Sequence, residues 1–311
     1  MANVMNPNLT NVEEYINQNS TELIAKAVFS PMSTKLFKVQ SGVKAPTAIN
    51  LLDTEVVFED GTECGFTPTT AQTISQRFIT PGFVKVNAEY CDKSFLNTFA
   101  SHLVNVAAGR EVLPFDEYFV KDVLDSIGVA LEKAIWQGDT ESNDANLNKF
   151  DGLLKIMNAD VPAGNKISDT YATMLDRVWA VYNAIPAAVI GKSIIVMNVS
   201  NFRNLVKELV DANLFHYERN IDETMEIILP GTMTRVKAVY GLEGQDVVIS
   251  LNPDHVVYGV DLVSDAETFR FWFSVDNKTF RLDVEFAAGV QIARPEEIII
   301  STVAEGSGDG N

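Results

Sequence analysis

From Phe119 to Ile135 the apolar residues Phe119, Val120, Val123, Leu124, Ile127, Ala130, Leu131, Ala134 and Ile135 recur at three- and four-residue steps. That spacing lays one apolar stripe along a helix. Pro114 stands where a missing N–H costs nothing, and Asp116 and Glu117 follow where the helix dipole favours acids. Gly138 is a left-handed stop. The pattern predicts a helix over 115–137, roughly 35 Å long at ~1.5 Å per residue. Its polar side tolerates water, whereas its stripe needs a sheet or a partner.

Upstream, Ser20 is placed to cap a helix over 21–29 with Leu23, Ile24 and Val28 on one side, and Ser30-Pro31 ends it. Residues 1–10 read as poorly ordered until docked, and 34–47 as an extended polar arm. From 51 to 91 the period falls to two. Glu55 to Phe58 runs into the turn signal Asp60-Gly61, and Ile74 to Ile79 follows a break at Thr67-Pro68-Thr69-Thr70. Phe83 to Tyr90 alternates well. This β excursion has little with which to build a core, so it must pack on something else, and a neighbouring chain is the expected support. Leu96, Phe99, Leu103 and Val104 predict a short helix before the long one.

Downstream, 139–150 is an acidic, Asn-rich surface loop. Ser168-Asp169 opens a helix that carries Met174, Leu175, Val178, Trp179 and Tyr182 inward and closes at Ile185-Pro186. Ile194 to Met197 is a continuous apolar run, as expected of a strand buried on both faces. Ser200 caps a third helix, with Leu205, Val206, Leu209 and Val210 facing inward, ending near Asn213. Strands are expected at 226–229, 234–240, 247–251, 256–258, 268–273, 280–286, 290–292 and 298–300. Aromatics on both faces of 268–273 mark it as a central strand. The tail after 301 is disordered by composition. The order predicts an α+β fold of two subdomains, with 168–253 inserted into a body made of 92–167 and 254–301.

Composition narrows the function. With 46% hydrophobic and 21% charged positions, 311 residues can bury a substantial core. A net charge of −18 argues against affinity for nucleic acid through phosphate neutralisation. Residues 1–50 carry four lysines against three glutamates, so the negative charge lies in the rest of the chain. No run of 18 apolar residues occurs, and the start lacks the basic and apolar regions of a signal peptide, so no membrane association is expected. Cys64 and Cys91 lie far apart without C-x-x-C spacing, which suits free thiols in a reducing cytosol. His102, His216 and His255 are each isolated, with no metal-ligand spacing around them. Gly191-Lys192-Ser193 precedes a strand instead of following one and lacks the earlier glycine of a phosphate loop. Neither a calcium loop nor a nucleophile elbow is present. The residues therefore point to no catalytic, cofactor-binding or metal site.

Four stretches, in order, resemble the major capsid proteins of tailed phages. Leu113-Pro114-Phe115-Asp116-Glu117-Tyr118-Phe119 through Ala134-Ile135-Trp136-Gln137-Gly138-Asp139 resembles that family's spine helix. Residues 194–215 resemble its strand–helix passage, with Leu214-Phe215 in place of the usual glycine turn. Tyr258-Gly259-Val260-Asp261 resembles its Tyr-Gly-x-Asp turn before an aromatic strand, and 280–300 its final strands. The family's extended loop falls at about 48–91. The resemblance spans about 20–301 and implies the phage capsid fold shared with encapsulins: an N-terminal arm over 1–47, an extended β loop over 48–91, a peripheral domain over 92–167 and 254–301, an axial domain over 168–253, and a tail over 302–311.

That resemblance implies a structural protein of the virion, assembled in the host cytoplasm. Copies of the chain would close through pentamers and hexamers into an icosahedral shell around double-stranded DNA that is enclosed without specific recognition. Portal and decoration proteins are its further implied partners. The arm is too short for a fused scaffold, so a separate scaffolding protein is expected. Residues 51–84 contain no lysine, leaving Lys85 at the base, so no covalent lysine–asparagine chainmail is expected. Expected contacts between copies are Thr67, Thr69, Thr70, Gln72, Gln76 and Arg77 in the loop, Lys35 and Lys38 in the arm, and Asp211 and Asn213 at the axis. Two alternatives stay open: an encapsulin-type nanocompartment, and an α+β enzyme or binding protein that does not assemble.

Overall fold

Thr279–Ile292 alternates apolar and polar residues over its first half and becomes largely apolar over its second. It forms one unbroken strand whose burial follows the same change. The computed structural model describes residues 16, 19, 22–23, 25–58, 71–91, 115–213, 225–261 and 269–302. In chain order the strands are β1 (Lys38–Ser41), β2 (Thr47–Glu55), β3 (Ala71–Ile79), β4 (Gly82–Cys91), β5 (Lys166–Ser168), β6 (Ile194–Met197), β7 (Glu226–Ile228), β8 (Arg235–Ala238), β9 (Val247–Leu251), β10 (Val256–Asp261), β11 (Phe269–Ser274), β12 (Thr279–Ile292) and β13 (Ile299–Thr302). Residues 25–29 are helical, and the longer helices whose bounds fall among the described residues are α1 (Phe115–Gln137), α3 (Met174–Ala184) and α4 (Val199–Asp211), with the shorter α2 (Leu153–Asp160) after α1.

The first sheet is built on β12. β4 runs along one side of it, β11 and β10 lie end to end along the other, and β1 adds in parallel outside β10. Alternate β12 residues (Phe280, Leu282, Val284, Phe286, Ala288, Val290 and Ile292) enter the main core. The same core takes Val120, Leu124, Ile127, Leu131 and Ile135 from α1, so the stripe read from the sequence is the buried one. On the opposite face Gly259 of β10 and Gly289 of β12 stand side by side. A Cβ on either would lie within 3.3 Å of an Ile79 methyl. The glycine pair is a notch, and Ile79 fills it.

The second sheet has the order β5-β13-β9-β6-β8-β7. Successive residues of β6 serve different cores: Ile194 and Val196 join the α1 core, while Ile195 and Met197 pack with Val178, Val181, Phe202, Leu205 and Leu209 of α3 and α4. Burial on both faces explains the unbroken apolar run.

Several expectations are corrected. The strand placed at 55–58 lies earlier, at Thr47–Glu55, and β1 forms inside the stretch read as an arm. β4 belongs to the first sheet and not to a free excursion, because its apolar Val84, Val86 and Ala88 pack against the core. β5 and β13, on either side of the expected 168–253 insertion, both pair into the second sheet. Tyr258-Gly259-Val260-Asp261 is strand and not turn, its glycine required by Ile79. β11 pairs with β12 alone among the described residues; its aromatics sit at a border, with Phe269 and Phe271 buried and Trp272 and Phe273 partly exposed. The N-caps are Thr173 and Asn198, each accepting a backbone N–H, not Ser168 or Ser200. Val210 is 54% exposed, since it follows Leu209 around the helix and leaves the apolar face. The expected helix at 96–104, the first ten residues and the tail after 302 lie outside the described residues.

Gly289→Ala would place its methyl 2.8 Å from the Thr80 carbonyl oxygen, against backbone that cannot yield by a rotamer change. The expected cost is about 1–3 kcal/mol in urea unfolding. Gly164→Ala, facing open space, is expected to be neutral or stabilising by up to about 1 kcal/mol.

Candidate assembly surface

β2 and β3 form a two-stranded antiparallel ribbon, with Thr47 opposite Ile79 at the base and Glu55 opposite Ala71 at the far end. Neither strand pairs with a third among the described residues. A lone hairpin is marginal in water, so its order must come from elsewhere. One face supplies the anchors. Ile79 sits with Val43 and Val257 in a small cluster of its own, and Ile49 packs against it. The Arg77 guanidinium pairs with Asp160 and donates to Gln291 Oε1 at 3.2 Å. Arg294 pairs with Asp53, and Gln291 Nε2 donates to the Phe78 carbonyl at 2.7 Å.

The other face carries Ala48 with Phe78, Asn50 with Gln76, Leu52 with Ile74, and Thr54 with Gln72 as directly opposed pairs. Leu52 is 57% exposed and Ile74 70%, and Phe78 is also exposed. Gln76 Nε2 donates to Asn50 Oδ1 at 2.8 Å and holds the strands together between the apolar pairs. Past the ribbon Val56, Val57 and Phe58 are exposed, Phe58 at 95%. Apolar side chains aligned on one face, with polar pairs between them, make an exposed apolar stripe of the kind that suits a contact surface.

Of the residues expected at contacts, Gln72 and Gln76 lie together on this outer face. Arg77 points the other way and is held by Asp160 and Gln291 of its own chain. Lys35 closes the short helical turn Ser33–Lys35, and Lys38 opens β1; both are exposed. Asp211 and Asn213 are exposed at the end of α4, where Asn213 takes φ 55°. Thr67, Thr69 and Thr70 lie outside the described residues. Leu52, Ile74, Phe78 and Phe58 were not anticipated. The alternation Ile74-x-Gln76-x-Phe78 was the available signal, once paired with Leu52.

A buried carboxyl joins α1 to the arm and to the short helical turn Tyr240–Leu242, which links β8 to β9. Glu132 accepts from Ser33 N at 3.0 Å and Ser33 Oγ at 2.6 Å, while Trp136 Nε1 donates to Ser33 Oγ at 2.6 Å. The Gly241 backbone N–H reaches the same carboxyl, and a Cβ at Gly241 would meet the Trp136 ring at 2.3 Å. Burial raises the Glu132 carboxyl above the ordinary range, against the lowering effect of the Ser33, Gly241 and Trp136 hydrogen bonds.

No group of three or more His, Cys, Asp or Glu side chains that could hold a metal occurs among the described residues. His255 Nδ1 lies 2.6 Å from Glu297 Oε2, a partner 42 positions away that sequence spacing could not reveal. Cys91 is a free, exposed thiol.

Neither a protein-family model nor a curated protein matches the chain. Solved structures do. The satellite phage P4 procapsid including size determination (Sid) protein is 9% identical, with 91% of this chain and 90% of that one covered at a TM-score of 0.63. A structure from Gordonia phage Cozz is 10% identical, covering 89% and 87% at 0.59. The capsid of an empty GTA particle is 11% identical, covering 90% of each chain at 0.55. At these identities the likeness is one of fold. The chain has the α+β fold of tailed-phage major capsid proteins.

A carboxyl whose folded pKa lies above its unfolded value contributes stability that is complete below the unfolded value and lost as pH rises through the folded one. Glu132→Gln removes that loss. Its unfolding free energy should fall less than that of the unsubstituted chain between about pH 4 and about pH 7. Parallel pH profiles in urea unfolding would contradict the assignment.

Proposed function

We propose that the chain is a structural shell subunit, the major capsid protein of a tailed phage, and that its copies close through pentamers and hexamers around double-stranded DNA. The observation that carries this reading is the ribbon, anchored through one face and apolar on the other, with nothing from its own described residues on that outer face. A second copy is the natural cover, since a closed shell offers every ribbon the same neighbour. The capsid fold across about nine-tenths of the chain supports the same conclusion.

Within this reading the first sheet with α1 is the peripheral domain and the second sheet with α3 and α4 the axial domain. Gln72 and Gln76 meet a neighbour through the ribbon, Lys35 and Lys38 through the arm, and Asp211 and Asn213 near the ring axis. The charge of −18 suits a container that encloses DNA without gripping it. A separate scaffolding protein and a portal complete the assembly in the host cytoplasm, and the role is structural, not enzymatic.

Leu52→Asp with Ile74→Lys keeps an opposite-charge pair across the strands while removing the apolar contact. Both positions are exposed, so unfolding free energy should stay within about 0.5 kcal/mol. Light scattering and negative-stain microscopy should find rings, sheets or shells from the unsubstituted chain and monomers from the variant. A chain that stays monomeric with its scaffolding partner present would overturn the reading.

A further inference from the structure

We propose that Phe58 of one copy inserts into a cleft between α1 and β4 of a neighbouring copy. The inference rests on the shell reading and gives the end of the ribbon a defined receptor. The cleft has a volume of about 90 Å³ and apolar walls that include Val86, Leu131, Phe150 and Phe286. A single water needs about 10–15 Å³ of such space, so the cleft has the size of one large side chain and not of a peptide. Phe58 is a large side chain almost wholly in solvent, preceded by exposed Val56 and Val57.

Charge agrees with shape. Lys149 lines the cleft, is exposed, and has no ion-pair partner among the described residues. In the sequence Phe58 is followed at once by Glu59 and Asp60. An aromatic residue leading two acids matches an apolar cleft beside a lysine.

The occupant must come from another copy. The cleft lies on the α1 side of the first sheet, whereas the ribbon is anchored on the opposite side through Ile79 against Gly259 and Gly289. The ribbon then passes Arg294, beyond the Ile292 end of β12. Lys85, another cleft residue, is opposite Glu285, nine positions back from Arg294. At ~3.3 Å per residue the separation is roughly 30 Å, whereas the chain from Asp53 to Phe58 spans at most about 18 Å.

The test uses full chains carrying Cys64→Ser and Cys91→Ser, one with Phe58→Cys and one with Ala145→Cys in the cleft lining. The two are mixed, assembled and oxidised, and covalent dimer is read on a non-reducing gel. Docking holds the thiols at a high effective concentration, so the mixture should give at least about tenfold more covalent dimer than either variant alone. Intact particles without that increase would overturn the docking and leave the shell reading standing. If neither the mixture nor the unsubstituted chain forms particles or oligomers, the shell reading fails and the docking with it.

Discussion

Burial of the α1 stripe is the constraint around which the other elements are arranged. Val120, Leu124, Ile127, Leu131 and Ile135 all enter the main core, and a buried aliphatic side chain contributes about 1.5–3 kcal/mol. Residues from both sheets share that core with them, and the end of the helix packs against Gly241 in the short turn between β8 and β9. Glu132 and Trp136, one turn apart, converge on Ser33 at that end. Removing either partner would leave polar atoms buried without compensation, so arm, helix and second sheet are held as one unit.

The ribbon obeys the opposite rule. Two strands cannot bury themselves, and the chain spends one of the ribbon's faces on anchoring: Ile79 in its glycine notch, Arg77 with Asp160, Asp53 with Arg294. Leu52, Ile74 and Phe78 remain on the other face. Anchoring at the base fixes the direction in which that face is presented, which is what assembly into a repeating shell requires. Under the proposed shell role, a body that presents an apolar face in a fixed direction is the physical link from fold to function.

Much of this was legible in the sequence, for particular reasons. The long helix was readable because its period is sustained from Phe119 to Ile135, nearly five turns, and β6 because a strand between two cores carries no polar residue. The caps of α3 and α4 were misplaced by two to five residues because several Ser, Thr and Asn side chains compete near each start. The placement of β4 was missed because alternation cannot say which strand will be a neighbour. Arg77 read as a polar residue of an exposed strand, and only the register shows that it faces inward with Ile79. Long-range pairings such as Glu132 with Ser33, or Gly259 beside Gly289, leave no local trace.

The central claim is that a second copy covers the outer ribbon face in a closed assembly. An electron cryomicroscopy map of the assembled chain, at a resolution that shows side chains, tests it most directly. The account predicts five- and six-membered rings in a closed shell, with a neighbouring subunit packed on Leu52, Ile74 and Phe78. An assembly in which that face is open to solvent, or folded against its own chain, would contradict it.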